Sequence, residues 1–362
     1  EACRMLRVVT CVASSMPKAD AQAFLQDLLK IASNMQCAPN AMTTVIRCLK
    51  EITAALASDT QDANAQITEW SNELLQLAHS VMHTYVWQES PQDGIRFAGE
   101  LEPRPAKRVP QRSVTVSAVQ RAMCIVGEVS MLGFSVEEDA GVHLKRDKVD
   151  RLRIPIPQEL VSLIKVLMAA ELPSANGVTG SGRSTPLAVR AHAFVAMGKV
   201  WMRDFALAKD MVNVFVRELV KPESQNTSTV SALTLGTLQD VDQGSESIVR
   251  SNALLVLGDL CIRYTNLVDR HVGAMAACLQ DSDPLVRKHA FVLLTQLLLQ
   301  DYVKWRGLLL HRFLVLAVDD DAEVSQVAEH VLCVTLLQKY PTLFASHFVE
   351  CIIVLNNFCE HP

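Results

Sequence analysis

Within this chain of 362 residues, Gly177-Val-Thr-Gly-Ser-Gly182-Arg-Ser184 comes nearest to a catalytic motif. It matches the G-x-x-x-x-G-K-S spacing of a phosphate-binding loop, except that Arg183 stands where the lysine should be. The chemistry would be nucleotide binding, with backbone amides at a helix N-terminus cradling phosphate. The flanks do not suit it. Glu171-Leu-Pro-Ser-Ala-Asn176 precedes the glycines where an apolar strand is needed, and Pro186 delays the next helix. The expected structure is a Gly/Ser connector.

Other chemistry-bearing residues are equally isolated. Asp281, Asp283, Asp319, Asp320 and Asp321 stand at expected helix starts, where carboxylates cap orphan amides and complement the positive end of the dipole. Asp319-Asp-Asp-Ala-Glu323 lacks the alternating ligands and the glycine of a calcium loop. The histidines at 192, 289, 311, 330 and 347 form no H-x-x-x-H or H-E-x-x-H pair. No G-x-S-x-G elbow occurs. The ten cysteines show no zinc-ligand spacing, and Cys261, Cys278 and Cys333 fall within apolar helix faces. They read as reduced core thiols of an intracellular protein. The expectation is a protein without enzymatic activity, cofactor or metal.

The elements that carry these residues are helices. Nearly half the residues are apolar (49%) and few are aromatic (5%), which suits helix-on-helix packing by Leu, Val, Ala and Met. The stretch Asp281 to Gly307 has the clearest punctuation, with Asp281, Ser282 or Asp283 as cap and Pro284 at the first helical position. From there Leu285, Val286, Ala290, Phe291, Leu293, Leu294, Leu297 and Leu298 make an apolar face too broad for one neighbour. Such a helix is sandwiched.

Its signature recurs. Val286-Arg287-x-x-Ala290 is echoed by Val249-Arg250-x-x-Ala253, by Val189-Arg190-x-x-Ala193 and more loosely by Val324-Ser325-x-x-Ala328. The positions 190, 250, 287 and 325 are spaced by 60, 37 and 38 residues, and the polar run Lys221 to Gly244 supplies the insertion that the long step needs. A period near 40 predicts an all-α fold, a HEAT-repeat α-solenoid of antiparallel helix pairs. His192 and His289 then share one repeat position, which predicts packing or a hydrogen bond internal to the repeat. Arg190, Arg250 and Arg287 share another, and two readings compete there: a structural ladder, or a basic groove for DNA.

V-R-K-H-A-F-V-L-L-T-Q-L-L-L-Q-D-Y-V-K-W-R-G, from Val286 to Gly307, resembles the hallmark of condensin D-type HEAT subunits, in which a V-R-K-N-A helix leads into an N-D-x-V-K-x-K-G turn. His289 replaces the family's Asn, Gln300 the Asn before Asp301, and Arg306 the Lys before Gly307. These departures favour the condensin II form. The resemblance implies a scaffold subunit that binds the kleisin chain and the SMC ATPase heterodimer beside a second HEAT-repeat subunit. It also implies help in engaging DNA and chromatin for mitotic chromosome condensation, in the nucleus and on the chromosome. Lys304, Trp305, Arg306 and Gly307 would dock on an SMC head, with Trp305 exposed in a short turn between cations; the rival reading has Trp305 plugging the groove between repeats. A HEAT-repeat transport or vesicle-coat adaptor is the alternative function.

In chain order, helical pairs are expected over 1–88, a Pro-rich linker or insertion over 89–111, and HEAT repeats over 112–362, with loops near 134–157, 172–186 and 221–244. Helical sequence begins at once with Ala2, Met5 and Leu6, as in a fragment of a larger subunit. No signal segment and no membrane-length apolar run is visible, so no membrane contact is expected. A net charge of −5 argues against a uniformly basic nucleic-acid binder, yet five cations stand against two acids between Lys145 and Arg153. Lys145, Arg146, Lys148, Arg151 and Arg153 are therefore the candidate DNA contacts, set against a merely solvated loop.

Overall fold

The structure, a computed structural model, describes residues 2–12, 15–87, 114–133, 152–173, 183–220, 239–305 and 309–355. They are helical almost throughout; the one β-type pairing among them is a single antiparallel bridge between Glu171 and Ser184. No helix among them is long and apolar enough to cross a membrane. The chain divides into two compact units, Glu1–Arg203 and Asp204–Pro362.

The first unit holds α1 (Ala2–Val12), α2 (Lys18–Ser33), α3 (Pro39–Leu56), α4 (Thr60–Trp87), α5 (Val116–Met131), α6 (Gln158–Met168) and α7 (Leu187–Trp201). Prolines open α3 and immediately precede α2, α6 and α7, where a missing N–H costs nothing. Helix α5 is the hub, packed by α3, α4 and α7. Surrounded this way it must be apolar nearly all round, and Val119, Ala122, Met123, Ile125, Val126 and Val129 are all sealed from solvent.

The buried charge on α5 is Glu128, which is 4% exposed. Arg47 Nε of α3 donates to it at 3.3 Å and Lys199 of α7 pairs with its other oxygen. A buried carboxylate is tolerated only when paired in this way. The end of α5 is tied down by Arg203, which donates to the carbonyls of Leu132 (2.7 Å), Ser130 (3.2 Å) and Leu152 (3.0 Å). Gly133 turns the chain at φ +72°, and a Cβ there would lie 2.5 Å from the Leu152 carbonyl oxygen. Only glycine serves at that position.

The second unit holds α8 (Phe205–Leu219), α9 (Gln239–Arg263), α10 (Thr265–Val268), α11 (Val272–Ala277), α12 (Pro284–Leu299), α13 (Leu309–Val315), α14 (Ala322–His330), α15 (Leu337–Lys339) and α16 (Leu343–Leu355). The signature helices α9, α12 and α14 stack in order. Aspartates cap α12 and α14 as their spacing predicts: Asp283 accepts from Leu285 N at 2.8 Å, and Asp321 from Glu323 N and Val324 N, both at 3.0 Å. Helices α9 and α12 approach so closely at Gly258 that a Cβ there would sit 2.4 Å from Leu293 Cδ1.

The core expectations hold with two corrections, the first being Leu285, expected on the apolar face of α12 but 42% exposed at its first turn. Leu294, Leu297 and Leu298 of α12 are wholly buried, as are Cys261 and Cys278. Burial pushes the Cys261 thiol up to about 11 and that of Cys278 to about 12, so both stay protonated and inert. Cys333, expected in the core, is exposed. It lies in the π-helical turn Val331–Leu336 that continues α14, where a wider turn breaks the 3.6-residue phase and leaves Leu332 and Leu336 buried instead.

Candidate functional site

Two constructions in the second unit bear on function. The first is the arginine ladder. Arg250 of α9 grips Asp281 with two parallel bonds of 2.9 Å, and Arg287 of α12 grips Asp319 at 2.8 and 2.6 Å. Each aspartate also orders its own turn: Asp281 accepts from Asp283 N and Asp319 from Asp321 N, both at 2.9 Å. Arg287 reaches back to the Asp281 and Ser282 carbonyls, at 2.9 Å each. The guanidinium fork thus joins the cap of one repeat to the cap of the next. Bonding to Arg287 holds the Asp319 carboxyl below its ordinary range, although burial opposes this.

The ladder stops where the signature weakens. Ser325, at the arginine position of the fourth echo, turns back to the Ala317 carbonyl at 2.8 Å. In the first unit Arg190 is 4% exposed and donates Nε to the Met168 carbonyl at 3.1 Å. All three arginines are therefore spent on the fold, and the DNA-groove reading of them falls. The two equivalent histidines also bond across helices, His289 to Ser251 of α9 and His192 to Gln120 of α5, the latter at 3.3 Å. Burial, helped by Lys288, lowers the basicity of His289 and keeps the ring neutral.

The second construction is the corner after α12. Asp301 closes the helix in a left-handed conformation (φ +61°), and the amides of Tyr302 and Val303 return to the Leu297 carbonyl at 3.0 and 3.3 Å. Lys339 holds Asp301 at 2.7 Å, and the Tyr340 hydroxyl lies 2.7 Å from the Leu298 carbonyl oxygen. Val303 is buried and Lys304 exposed, as alternation in an extended segment demands. Trp305 turns inward. Its ring meets Phe313 edge-on with centroids 5.4 Å apart, and Tyr340 at 6.2 Å, while Phe313 packs on Phe291 at 4.7 Å.

This corrects the expectation of an exposed indole. The turn is short, but α13 and the end of α15 together supply an aromatic slot deep enough to take the ring. Arg306 and Gly307 lie outside the described residues. Lys304 rims a cavity of about 310 Å³ with Val272, Gly273 and Leu309 on its wall and Arg312 and Asp269 beside it. Trp305→Ala is expected to lower unfolding stability by about 2 kcal/mol, roughly half the loss for a fully buried ring. Lys304→Ala should stay within about 0.5 kcal/mol. Paired urea titrations measure both.

The remaining sequence candidates fare differently. Lys145, Arg146, Lys148 and Arg151 lie outside the described residues, as does the whole of 89–111. Arg153 is exposed and donates to the Arg203 carbonyl at 3.2 Å. Of the phosphate-loop lookalike, 177–182 lies outside the described residues. Its Arg183 donates to the Tyr85 carbonyl at 2.9 Å and stacks 4.6 Å over that ring, so the residue in the lysine position is engaged on α4.

The described residues define an α-helical HEAT-type repeat protein, assembled from signature helices and an Asp–Arg ladder. Two families match it: one described as non-SMC mitotic condensation complex subunit 1 over residues 248–360, and HEAT repeats of condensin-2 complex subunit D3-like proteins over 163–219. The chain is accordingly similar to condensin D-type HEAT subunits along these two stretches. It is 34% identical to mouse condensin-2 complex subunit D3 over 57% of its length, 35% to the Xenopus laevis subunit D3-L over 50%, and 24% to the Arabidopsis thaliana subunit CAP-D3 over 99%. It spans 13%, 11% and 25% of those relatives respectively. A solved structure of the Pds5–Scc1 complex overlaps 90% of this chain and 59% of that one, at 12% identity and a TM-score of 0.24, too loose to carry an argument.

Proposed function

We propose that the chain is part of a non-catalytic scaffold subunit of a condensin II-type complex, acting in the nucleus on mitotic chromosomes. It binds the kleisin subunit and the SMC ATPase heterodimer beside a second HEAT-repeat subunit, and it assists DNA engagement. ATP hydrolysis belongs to the SMC partners. The observation that supports this best is the family match at 248–360, because it spans the ladder and the corner together. Asp281, Asp319 and His289, which could have suggested chemistry, bond instead to neighbouring helices of the stack, which suits a scaffold.

The corner is the proposed contact for an SMC head. Lys304 presents the charge, Trp305 fixes the segment from beneath, and Arg306 and Gly307 continue it along the chain. An anchored segment of this kind loses little entropy on docking. The basic run Lys145, Arg146, Lys148, Arg151 and Arg153 is the proposed duplex contact, binding phosphates without reading sequence.

A photo-crosslinking residue at Lys304, in the full-length subunit assembled with kleisin and the SMC pair, tests the docking. The expected product joins the subunit to an SMC head, and Lys304→Glu should lower DNA-stimulated ATP hydrolysis severalfold while the subunit still copurifies with kleisin. Crosslinks only to kleisin, together with unchanged hydrolysis in Lys304→Glu, would sink this assignment.

A further inference from the structure

The second unit contains a cleft whose composition departs from the rest of the chain. It lies between the start of α8 and the corner where α9 passes into α10, with a volume of about 650 Å³. Pockets that hold a small ligand run from roughly 300 to 1,000 Å³, so the space is of nucleotide size. Lys209, Arg263 and Arg270 line it and, among the described residues, no carboxylate does, although the chain as a whole carries −5. The cavity beside Lys304 differs in this respect, since Asp269 offsets its cations.

The aromatic lining gives the cleft a second character. Phe205 opens α8 and is 53% exposed, an unusual position for a phenyl ring beside a cluster of cations. It meets Tyr264 edge-on, with centroids 5.2 Å apart and planes at 71°, and the Arg263 guanidinium lies 5.4 Å over the Tyr264 ring. Asn266, exposed on the same wall, carries both a donor and an acceptor. The acids nearest in sequence are Asp204, which caps α8 through Leu207 N at 3.0 Å, together with Asp210 and Asp269, and none of the three lines the cleft. Arg270 is oriented by its Nε bond of 3.0 Å to His271 Nε2, and burial next to Arg270 lowers the basicity of that imidazole.

We propose that this cleft binds an unpaired stretch of nucleic acid, with a base stacked against Phe205 and Tyr264 and the flanking phosphates on Lys209, Arg263 and Arg270. Aromatic faces combined with a cationic track are the elements by which proteins hold single strands without reading sequence. A duplex would satisfy the cations but leave the exposed phenyl ring without a role, because paired bases hide their faces. A phosphorylated peptide would likewise use the cations alone. The inference rests on reading the chain as a DNA-engaging subunit, but it concerns a different site from the Lys145–Arg153 run and a different form of the polymer.

Fluorescence anisotropy of the 362-residue chain with a labelled oligothymidylate, and with a duplex of equal length, across a salt series is the test. The expected result is that Phe205→Ala weakens single-strand binding about tenfold or more and leaves duplex binding unchanged. Phe205→Leu, which keeps an apolar side chain against Tyr264, should lose as much, separating stacking from folding. Lys209→Ala with Arg270→Ala should flatten the single-strand salt slope by about 1.4, at roughly 0.7 per phosphate contact. Single-strand affinity unaffected by Phe205→Leu would overturn the proposal, as would a phosphoserine peptide that competes as well as the oligonucleotide. A neutralised Lys145–Arg153 run that abolishes duplex binding but spares single-strand binding would keep the two sites distinct. Loss of both forms with the run alone would overturn the cleft while leaving DNA engagement standing.

Discussion

Leu294→Ala is expected to cost about 2–5 kcal/mol, the range for removing three buried carbons from a site that cannot collapse. Leu294 has no exposed surface, and α12, on which it lies, packs against both α9 and α14. Its neighbours cannot easily move into the void. At the Gly258 position the backbone of α9 already approaches Leu293 to the limit of contact, and Phe291 is held by Phe313. In a stack each repeat is stabilised by the interface with the next, so the loss should spread along the chain. Hydrogen exchange measures this directly: amides in Ser251–Leu260 and Glu323–Leu332 should lose protection together with those of α12. Protection that fell within α12 alone would contradict the stacking argument.

Arg287→Met should cost roughly 2–4 kcal/mol, most of it from the partners left behind. The Asp319 side chain is only 8% exposed and would lose both bonds from the guanidinium, and the Asp281 and Ser282 carbonyls would each lose a donor. The pH dependence carries a definite sign. Asp319 has a folded pKa below its unfolded value, chiefly because Arg287 bonds to it, so its contribution is present above the ordinary carboxylate range and is lost as pH falls through the folded value. The stability gap between wild type and Arg287→Met should therefore be wide at neutral pH and narrow in acid. Adding Asp319→Leu to Arg287→Met should recover part of the loss, since no buried charge then remains unpaired. Denaturant titrations at neutral and acidic pH measure both effects, and a gap that stayed constant with pH would mean the pair contributes nothing through its charge.

Much of the architecture was legible from local rules. Asp283 followed by Pro284 marks a helix start on chemistry that operates within four residues, and α12 begins there. The recurrence of Val-Arg-x-x-Ala after 37 residues, and of its looser Val-Ser-x-x-Ala form after a further 38, identified helices that stack, because a repeat buries its apolar face only against the next one. The equivalence of His192 and His289 led to an expected bond within the repeat, whereas His289 bonds to Ser251 in the preceding signature helix and His192 to Gln120 of α5. The match of Val286–Gly307 to the condensin D-type pattern, read from side-chain types alone, agrees with the families found along the chain.

Other features depended on residues distant in sequence. Nothing near Arg250 or Arg287 names Asp281 or Asp319 as its partner, 31 and 32 residues away; the partner is chosen by the helix that stacks alongside. Trp305 looked exposed because the residues that enclose it, Phe313 and Tyr340, belong to later helices. Cys333 left the core through a π turn that no local periodicity signals. The cleft at Phe205 likewise brings a helix start together with a corner some 60 residues further on. What the sequence alone determined about this protein is its helices, their period and its resemblance to condensin D-type subunits, since caps, apolar spacing and recurring signatures act within a turn or within a repeat. What only the tertiary structure decided is which arginine meets which carboxylate, which ring is covered and which cations share a cavity, because those contacts exist only once the helices have packed.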